Sequence, residues 1–432
     1  MKPLACLAAA LAAAVVSTTA IRTVAQTAPP TAAPGTAPAG THTSGNRPKL
    51  KPALPVQRPL PGGGPQLGDA LFGLDAASQA AFEAGRAEFE AVETPAGGLG
   101  PVFNGASCVA CHTAGGTGGA STVAVTRFGR LVNGKFDDLA HLGSPLLQRL
   151  AIDPQAQERV PPEATIVAQR ITTPLFGAGL IEAIPDEAIQ LNAQRPQPDG
   201  VRGRVSMLTD VASGRARVGR FGWKAQQATL LAFAGDAYLN EMGVTSRLFP
   251  TEIAPNGNAA LLARFDRLPD IENSIDPATG QSDIDHAANF MRFLAPPPPL
   301  RPSASALAGA RLFEQARCTA CHLPVMFTGA QANPALAHKP VRLYSDLLLH
   351  DMGKLGDGIG QGTAKGTAKG SEMRTAPLWG LRVRPAFLHD GRARTVGDAI
   401  RAHDGEAATS RNRFNAMPVL QRQQLLDFLG SI

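Results

Sequence analysis

The chain has 432 residues, of which 44% are hydrophobic and 18% charged, so it is long enough for roughly two or three folded domains. Lysine and arginine outnumber acidic residues by 41 to 35, and the formal net charge is +6. No basic run is interleaved with aromatic residues, which argues against a nucleic-acid-binding protein.

The first residues are typical of a secretory signal. Lys2 precedes an almost wholly apolar run at residues 4–16, and small residues at 18–25 offer a cleavage site. The run is too short to span a bilayer and no later segment reaches that length, so we expect no integral membrane protein. We predict a signal peptide over residues 1–25 and a bacterial protein exported to the periplasm.

A low-complexity segment follows. Residues 26–66 are dominated by Ala, Pro, Thr and Gly, which cannot bury enough apolar surface to offset the entropy of ordering. We predict a disordered tether. Beyond it, apolar residues recur at helical spacing at residues 76–92, 226–241, 304–314, 396–403 and 419–429, and few segments alternate as strands do.

Two short motifs indicate the chemistry of the chain. C-V-A-C-H at residues 108–112 and C-T-A-C-H at residues 318–322 are both C-x-x-C-H, the signature of covalent c-type haem attachment. Zinc sites do not need a histidine directly after each second cysteine, and a thioredoxin-like pair belongs in a βαβ setting that the sequence lacks. Simple disulfides stay an alternative. The predicted attachment and iron-binding residues are Cys108, Cys111, His112, Cys318, Cys321 and His322.

The folded part contains an internal repeat. The string A-G-R-A-E-F at residues 84–89 resembles A-G-A-R-L-F at 308–313, and T-T-P-L-F-G at 172–177 resembles T-A-P-L-W-G at 375–380. Consecutive prolines at residues 296–299 cannot continue a helix. We therefore predict a mainly α fold with long Gly/Pro-rich loops. It consists of two cytochrome c-like haem domains, at residues 67–295 and 304–432, joined by a proline linker at 296–303.

Over residues 67–432 the chain resembles the dihaem oxidoreductase family of peroxidase-like proteins, also called thiol oxidoreductases. The most specific stretches are residues 100–104, 176–185, 219–243, 344–353 and 375–391. The family is related to bacterial dihaem cytochrome c peroxidase and to the dihaem enzyme that matures a tryptophan-derived quinone cofactor. The resemblance implies two covalently bound haem c groups with iron.

The resemblance also implies the ligands of the second haem. His112 and His322 match the proximal ligands, and H-D-G at residues 389–391 matches the family's C-terminal His-x-Gly. The peroxidases place the second haem's distal ligand fourteen residues after that histidine, which here is His403. We expect His322 and His403 on one iron. The alternatives are a simple helix-end role for His403, or ligation by His350, Met352, Met373 or Met326.

The first haem is expected to be the substrate site. Residues 113–140 contain no histidine that matches the peroxidases' distal ligand, and the first candidate, His141, is distant. We predict a vacant or water-filled sixth position. The family string ending in Glu-Met-Gly matches residues 241–243, which implies that Glu241 is the catalytic acid and base. A glutamine ten positions earlier is replaced by Leu231. Glu182 is a second acidic candidate.

Further roles follow from the same comparison. Dihaem peroxidases place an aromatic residue between the haems as an electron relay, and Trp223 lies in the matching region, with Phe221 as the alternative. Arg127 is a candidate partner for a haem propionate. The segment at residues 113–214 is longer than its counterpart in the peroxidases and is predicted to be an insertion. Where the peroxidases bind calcium this chain has Arg384, a cation, so calcium is not expected.

These features predict a periplasmic dihaem c-type oxidoreductase. Electrons would enter at the second haem and serve peroxide or oxygen activation at the first. The expected partners are a small redox protein or another electron donor, and a peroxide or small oxidisable substrate. The alternatives are an electron-transfer cytochrome without substrate turnover, and a high-valent-iron enzyme that oxidises an organic or protein substrate.

Overall fold

The computed structural model describes residues 65–143, 145–267, 274–277, 279–361 and 366–432. The predicted signal peptide and residues 26–64 of the predicted tether lie outside this part of the chain. Within it, no helix is both long and apolar enough to cross a membrane.

The described residues form ten α-helices, joined by loops that contain short 3-10 turns. In chain order the helices are α1 (Ala76–Glu90), α2 (Ala178–Glu182), α3 (Asp186–Gln194), α4 (Leu230–Ala237), α5 (Ala259–Phe265), α6 (Asp283–Phe293), α7 (Ala304–Gln315), α8 (Val396–Ala402), α9 (Ala408–Ala416) and α10 (Val419–Ser431).

The same part of the chain forms twelve short strands between these helices. They are β1 (Val102–Phe103), β2 (Ala124–Val132), β3 (Lys135–Asp137), β4 (Leu146–Leu147), β5 (Leu150–Ala151), β6 (Ile166–Ile171), β7 (Met207–Thr209), β8 (Ala216–Val218), β9 (Met326–Phe327), β10 (Pro340–Val341), β11 (Leu349–Asp351) and β12 (Glu372–Arg374). The ten helices agree with the predicted mainly α fold, whereas the short strands were not indicated by the sequence pattern.

The predicted helices begin where the sequence supplies caps. Asp75 Oδ1 accepts a hydrogen bond from Ser78 N at 2.8 Å at the start of α1, and Ser303 Oγ accepts from Ala306 N at 3.1 Å at the start of α7. The helix predicted from residue 226 begins only at Leu230, because Thr229 has extended backbone and caps it. Residues 226–228 are left in a loop beside the site.

Two helix pairs repeat the same packing arrangement. α1 packs on α6, and α7 packs on α10. Gly85 of α1 lies against the backbone of His286, and Gly309 of α7 lies against the backbone of Gln424. Four residues after each glycine, a phenylalanine packs on a phenylalanine of the partner helix. The ring centroids are 4.6 Å apart for Phe89 and Phe290 and 5.4 Å for Phe313 and Phe428.

The two helix pairs explain the sequence repeat. Glycine lets the two backbones approach closely, and the phenylalanine fills the space beside the contact. One hydrophobic core includes α1, α2, α4 and α6, and a smaller core surrounds α7 and α10. Each phenylalanine also reaches the histidine of its own C-x-x-C-H motif, with ring centroids 5.7 Å apart for Phe89 and His112 and 6.4 Å for Phe313 and His322. The domain boundaries themselves stay predictions.

Residues 113–214, the predicted insertion, contain an antiparallel sheet in which β2 pairs with β3, β4 and β6. The end of β6 reaches the second half of the chain, where Ile171 N donates to His389 O at 2.7 Å. This contact brings the residues after β6 to the region between the two haem motifs.

Gly309→Ala is expected to destabilise the protein by about 1–3 kcal/mol, because the added methyl group would overlap the Gln424 carbonyl and force α7 and α10 apart. Urea unfolding followed by circular dichroism measures the loss. Gly430→Ala is the matched control, since Gly430 lies in α10 and a Cβ there meets no atom within 4 Å. Equal midpoints for the two variants would contradict the close-packing interpretation.

Candidate functional site

The first motif forms a 3-10 turn, Cys108–Ala110, followed by Cys111 and His112. His112 Nδ1 lies 3.0 Å from the Gly119 carbonyl oxygen and donates to it. This bond fixes the tautomer and leaves Nε2 free for a metal. Burial lowers the pKa of His112 to about 4, which keeps the ring neutral, as an iron ligand must be.

The second motif repeats this geometry. Cys318–Ala320 form a 3-10 turn, and His322 Nδ1 lies 2.9 Å from the Tyr344 carbonyl oxygen. Burial lowers the pKa of His322 to about 4 as well. All four cysteines of the two motifs are free thiols, so none is used in a disulfide.

Each motif lines its own cavity. The first cavity encloses ≈ 1200 Å³ of empty space and is lined by Cys108, Cys111 and His112, and the second encloses ≈ 1480 Å³ and is lined by Cys318, Cys321 and His322. Both volumes include some open solvent. Spaces of this size, mainly apolar with a few polar groups, are typical of cofactor sites.

Two arginines with buried guanidinium nitrogens support the fit of an anionic cofactor such as haem. Arg170 lines the first cavity with Nη2 lacking a hydrogen-bond partner, and Arg384 lines the second with Nε lacking one. Unpaired guanidinium nitrogens are costly in an interior, and the carboxylates of haem would satisfy them. The free thiols, neutral imidazoles and buried cations together match the donor set that two haems need.

His403 lies opposite His322 across the second cavity. The ring centroids are 6.4 Å apart, and the ring planes make an angle of 56°. Two imidazoles on opposite sides of one metal ion, at metal–nitrogen distances of ~2.0 Å, would have ring centres about 6.3 Å apart. His403 Nδ1 lies 2.7 Å from the Ala399 carbonyl oxygen, which leaves its Nε2 free.

The alternative ligands differ in their surroundings. Met352 and Met373 line the second cavity, whereas Met326 packs in the core beside Asn192. His350 also lines the second cavity, but both ring nitrogens are engaged by carboxylates, Nε2 with Asp346 at 3.0 Å and Nδ1 with Glu406 at 2.8 Å.

His350 is therefore a cation rather than a free ligand. Hydrogen bonds to Asp346, Cys321 and Glu406 outweigh the opposing effect of burial and raise its pKa to about 12. Its ring, the Asp346 carboxylate and the Cys321 thiol have donor atoms within 4.8 Å of one another. Because both nitrogens are occupied, this cluster joins the second motif to the loop after His403 instead of holding a separate metal.

Among the described residues that line the first cavity, His112 is the only histidine, and exposed His141 lies elsewhere. Met242 and Met291 line it too, but both belong to the hydrophobic core. The two cavities are therefore unequal in the ligands they offer.

Glu241 lines the first cavity. It lies in a π-helical turn, Tyr238–Met242, which continues α4, and its carbonyl accepts a hydrogen bond from Asn104 N at 2.7 Å. Burial raises the pKa of Glu241 to about 7; Arg127 opposes this shift and the Asp236 carboxylate adds to it. A carboxyl group with such a pKa can both take up and release a proton near neutral pH. No sequence pattern predicted the π-helical turn.

Glu182 has structural partners instead. Its Oε1 accepts from Leu230 N at 2.7 Å and its Oε2 from Arg292 Nε at 3.0 Å. It joins α2 to α4 and α6 and lines neither haem cavity, so it is not a catalytic candidate.

Trp223 lines both cavities, as do Ile171 and Thr172. The indole Nε1 donates to the Ile171 carbonyl oxygen at 2.9 Å, and the ring lies edge-on to His389 with centroids 6.4 Å apart. Phe221, the alternative relay, stacks on Phe233 and lines neither cavity.

Sequence patterns missed a buried ionic cluster close to Trp223. The Asp357 carboxylate accepts from Arg170 Nε at 2.7 Å and from Lys224 Nζ at 2.9 Å, and all three side chains are almost fully buried. Arg170 and Asp357 are far apart in the chain, so no local spacing could have paired them.

Arg384 has a structural role as well. Its Nη2 donates to the Pro377 carbonyl oxygen at 2.7 Å and to that of Trp379 at 3.2 Å. Backbone carbonyls are among the ligands that calcium prefers, and here a guanidinium contacts them.

Two cavities, each with a C-x-x-C-H motif at its wall, define a protein that carries two haems. The chain belongs to the family described as "Di-haem oxidoreductase, putative peroxidase", whose model matches residues 155–432. It is therefore an oxidoreductase that uses two haem irons. The family model begins to match after the first C-x-x-C-H motif, so it covers only part of residues 67–432, over which the sequence resembles the family.

Similar solved structures have low sequence identity. Hydrazine synthase from Kuenenia stuttgartiensis is 14% identical with a TM-score of 0.40, and covers 90% of this chain and 100% of its own. A variant of the dihaem peroxidase BthA from Burkholderia thailandensis is 15% identical with a TM-score of 0.38, over 87% of both chains. A MauG-like protein associated with microbial copper homeostasis is 16% identical with a TM-score of 0.31, over 60% of this chain and 88% of its own. No curated protein matches the chain.

Proposed function

We propose that the protein is a periplasmic, c-type dihaem peroxidase. Electrons enter at the haem of the second cavity, pass Trp223, and reduce a peroxide at the haem of the first cavity. The observation that carries this proposal is the asymmetry of the cavities. The second offers two facing histidines, and the first offers one histidine and a carboxyl group with a pKa near 7.

Covalent attachment is inferred from the free thiols. Cys108 and Cys111 lie at one wall of the first cavity, and Cys318 and Cys321 lie at one wall of the second. In each motif the histidine is oriented by a backbone carbonyl, so that Nε2 is available to iron. When bound, the haems supply iron that changes oxidation state, and an iron with an open position can bind a peroxide.

At the second haem, His322 and His403 are the proposed ligand pair. Both imidazoles are held by backbone carbonyls, which would leave each Nε2 available to the iron. An iron with two imidazole ligands has no place for substrate and serves electron transfer.

At the first haem, Glu241 is the proposed proton-handling group. A peroxide must lose a proton from one oxygen and gain one at the other as the O–O bond breaks. A carboxyl group with a pKa near 7 can accept the first proton and return it to the leaving oxygen. Arg127 lines the same cavity and supplies positive charge there.

Trp223 is the proposed relay. Its side chain contributes to the walls of both cavities, and its indole N–H is held by the Ile171 carbonyl. A fixed aromatic ring between two redox centres shortens the distance of each electron-transfer step. The donor to the second haem is a small redox protein or another reductant, and the net positive charge of the chain favours an acidic one.

Spectra of the ferric protein test the proposal. Cyanide is expected to convert one haem of the two from high-spin to low-spin and to leave the other unchanged, because only the first cavity lacks a second histidine. Hydrogen peroxide is expected to react at the same haem. Two low-spin haems that ignore both additions would contradict the peroxidase and favour an electron-transfer cytochrome.

A further inference from the structure

A polar cavity adjoins the first haem cavity. It encloses ≈ 820 Å³ of empty space, including open solvent. Four of its lining residues also line the haem cavity, namely Arg127, Gln226, Asp236 and Asn240. These side chains therefore form the boundary between the haem cavity and a space that water can enter.

Asp236 is the acidic group in that boundary. It lies near the end of α4, and its Oδ1 accepts a hydrogen bond from Asn240 Nδ2 at 3.1 Å. The Gln227 side chain also bonds to it. The carboxyl group is thus held at the boundary by two amides that cannot exchange protons with it at neutral pH.

Asp236 lies in the last turn of α4, and Glu241 lies in the π-helical turn that follows it. Residues five apart lie on opposite parts of an ordinary α-helix, and π winding over residues 238–242 reduces that angular separation. Both carboxyl groups line the first cavity, and only Asp236 of the two also lines the polar cavity.

The charges around the pair favour proton exchange. Burial raises the pKa of Asp236, with Arg127 and the Gln227 hydrogen bond opposing this. Burial also raises the pKa of Glu241; Arg127 opposes it, Asp236 adds to it, and Arg149 opposes it more weakly. The negative charge of Asp236 thus raises the proton affinity of Glu241, which couples the protonation of the two carboxyl groups.

We propose that Asp236 is a relay residue that carries protons between the polar cavity and Glu241. Reducing one peroxide to two waters takes two electrons, which the donor supplies, and two protons besides the one that Glu241 moves between the oxygens. Each of these protons passes from water in the polar cavity to the Asp236 carboxylate. Asp236 transfers it to Glu241, directly or through one water, and Glu241 delivers it to the remaining oxygen; no electron moves in the transfers between the carboxyl groups. The inference rests on the proposed role of Glu241.

Asp236→Asn tests the relay against Glu241→Gln. Asp236→Asn is expected to slow turnover with peroxide at least tenfold while cyanide still binds the first haem. It is also expected to move the pH midpoint of the reaction downwards, because the neutral amide no longer raises the proton affinity of Glu241. Asp236→Glu keeps a carboxyl group and is expected to retain most of the activity.

The outcomes separate the two proposals. Loss of activity in Glu241→Gln with unchanged rate and midpoint in Asp236→Asn would overturn the relay alone. No effect of Glu241→Gln would overturn the proposed role of Glu241 in that function.

Infrared titration supplies a readout that needs no turnover and no Asp236 variant. The wild-type protein is expected to show two coupled carboxyl bands. The Glu241 band, identified by its loss in Glu241→Gln, is expected to shift in frequency as the Asp236 carboxyl ionises, because that negative charge acts on Glu241. A Glu241 band that does not respond to the ionisation of Asp236 would overturn the relay even if Asp236→Asn failed to fold.

Discussion

Replacing Glu241 with glutamine is expected to slow the oxidation of an added electron donor by hydrogen peroxide by about 10²–10⁴-fold, the range typical of losing a general acid and base. Glutamine has nearly the same shape but cannot accept a proton. Haem content and cyanide binding are expected to be unchanged, because the C-x-x-C-H motifs and His112 lie elsewhere on the cavity wall. Stopped-flow mixing of the protein with peroxide measures the effect.

The pH dependence provides an independent check of the same residue. Burial raises the pKa of Glu241 to about 7, and the free protein needs the ionised form to accept the peroxide proton. kcat/KM is therefore expected to rise with pH through about 7 and then level off, and this rise is expected to vanish in Glu241→Gln.

Glu187→Gln is the matched control, since Glu187 is an exposed acid on α3 that lines neither haem cavity. It should preserve both the rate and the profile. A wild-type rate in Glu241→Gln, or a profile that keeps its rise, would show that another group handles the proton.

His403→Ala is expected to remove the low-spin signal of the second haem and to raise its reduction potential, because one imidazole that stabilises ferric iron is lost. The first haem should keep its own signal, since His403 lines only the second cavity. Electron paramagnetic resonance of the ferric protein and a redox titration measure the two effects.

His141→Ala is the control for this substitution. His141 is exposed and lines neither cavity, so its loss should leave both signals intact. Retention of the low-spin signal in His403→Ala would assign the sixth position to another side chain, with Met352 and Met373 as the next candidates in the same cavity.

Much of the site could be predicted because it depends on local sequence. The two C-x-x-C-H motifs require only five adjacent residues, and α1 and α7 follow from apolar spacing together with the caps Asp75 and Ser303. The position of His403 was implied by the resemblance to the peroxidases, which place a distal ligand at a fixed offset from the His-x-Gly motif. The structure adds the distance to His322, which no spacing could supply.

The rest depends on contacts between distant parts of the chain. The sheet around β2 forms by pairing with β6, some 40 residues later, and neither strand alternates clearly enough to be recognised alone. Lys224 and Arg170 meet Asp357 only after the chain has folded. The π-helical turn at Glu241 is a small change of winding within a segment that reads as an ordinary helix.

The hydrogen bond of Trp223 has a consequence for how charge moves through the molecule. Its indole N–H donates to a backbone carbonyl, that of Ile171, and an amide oxygen is far too weak a base to keep a transferred proton. A tryptophan that gives up an electron here must therefore retain its proton and carry a positive charge until it is reduced again. Electrons would then cross between the cavities at a rate that does not depend on the pH of the surroundings, and the proton needed at the first haem must arrive by a separate route.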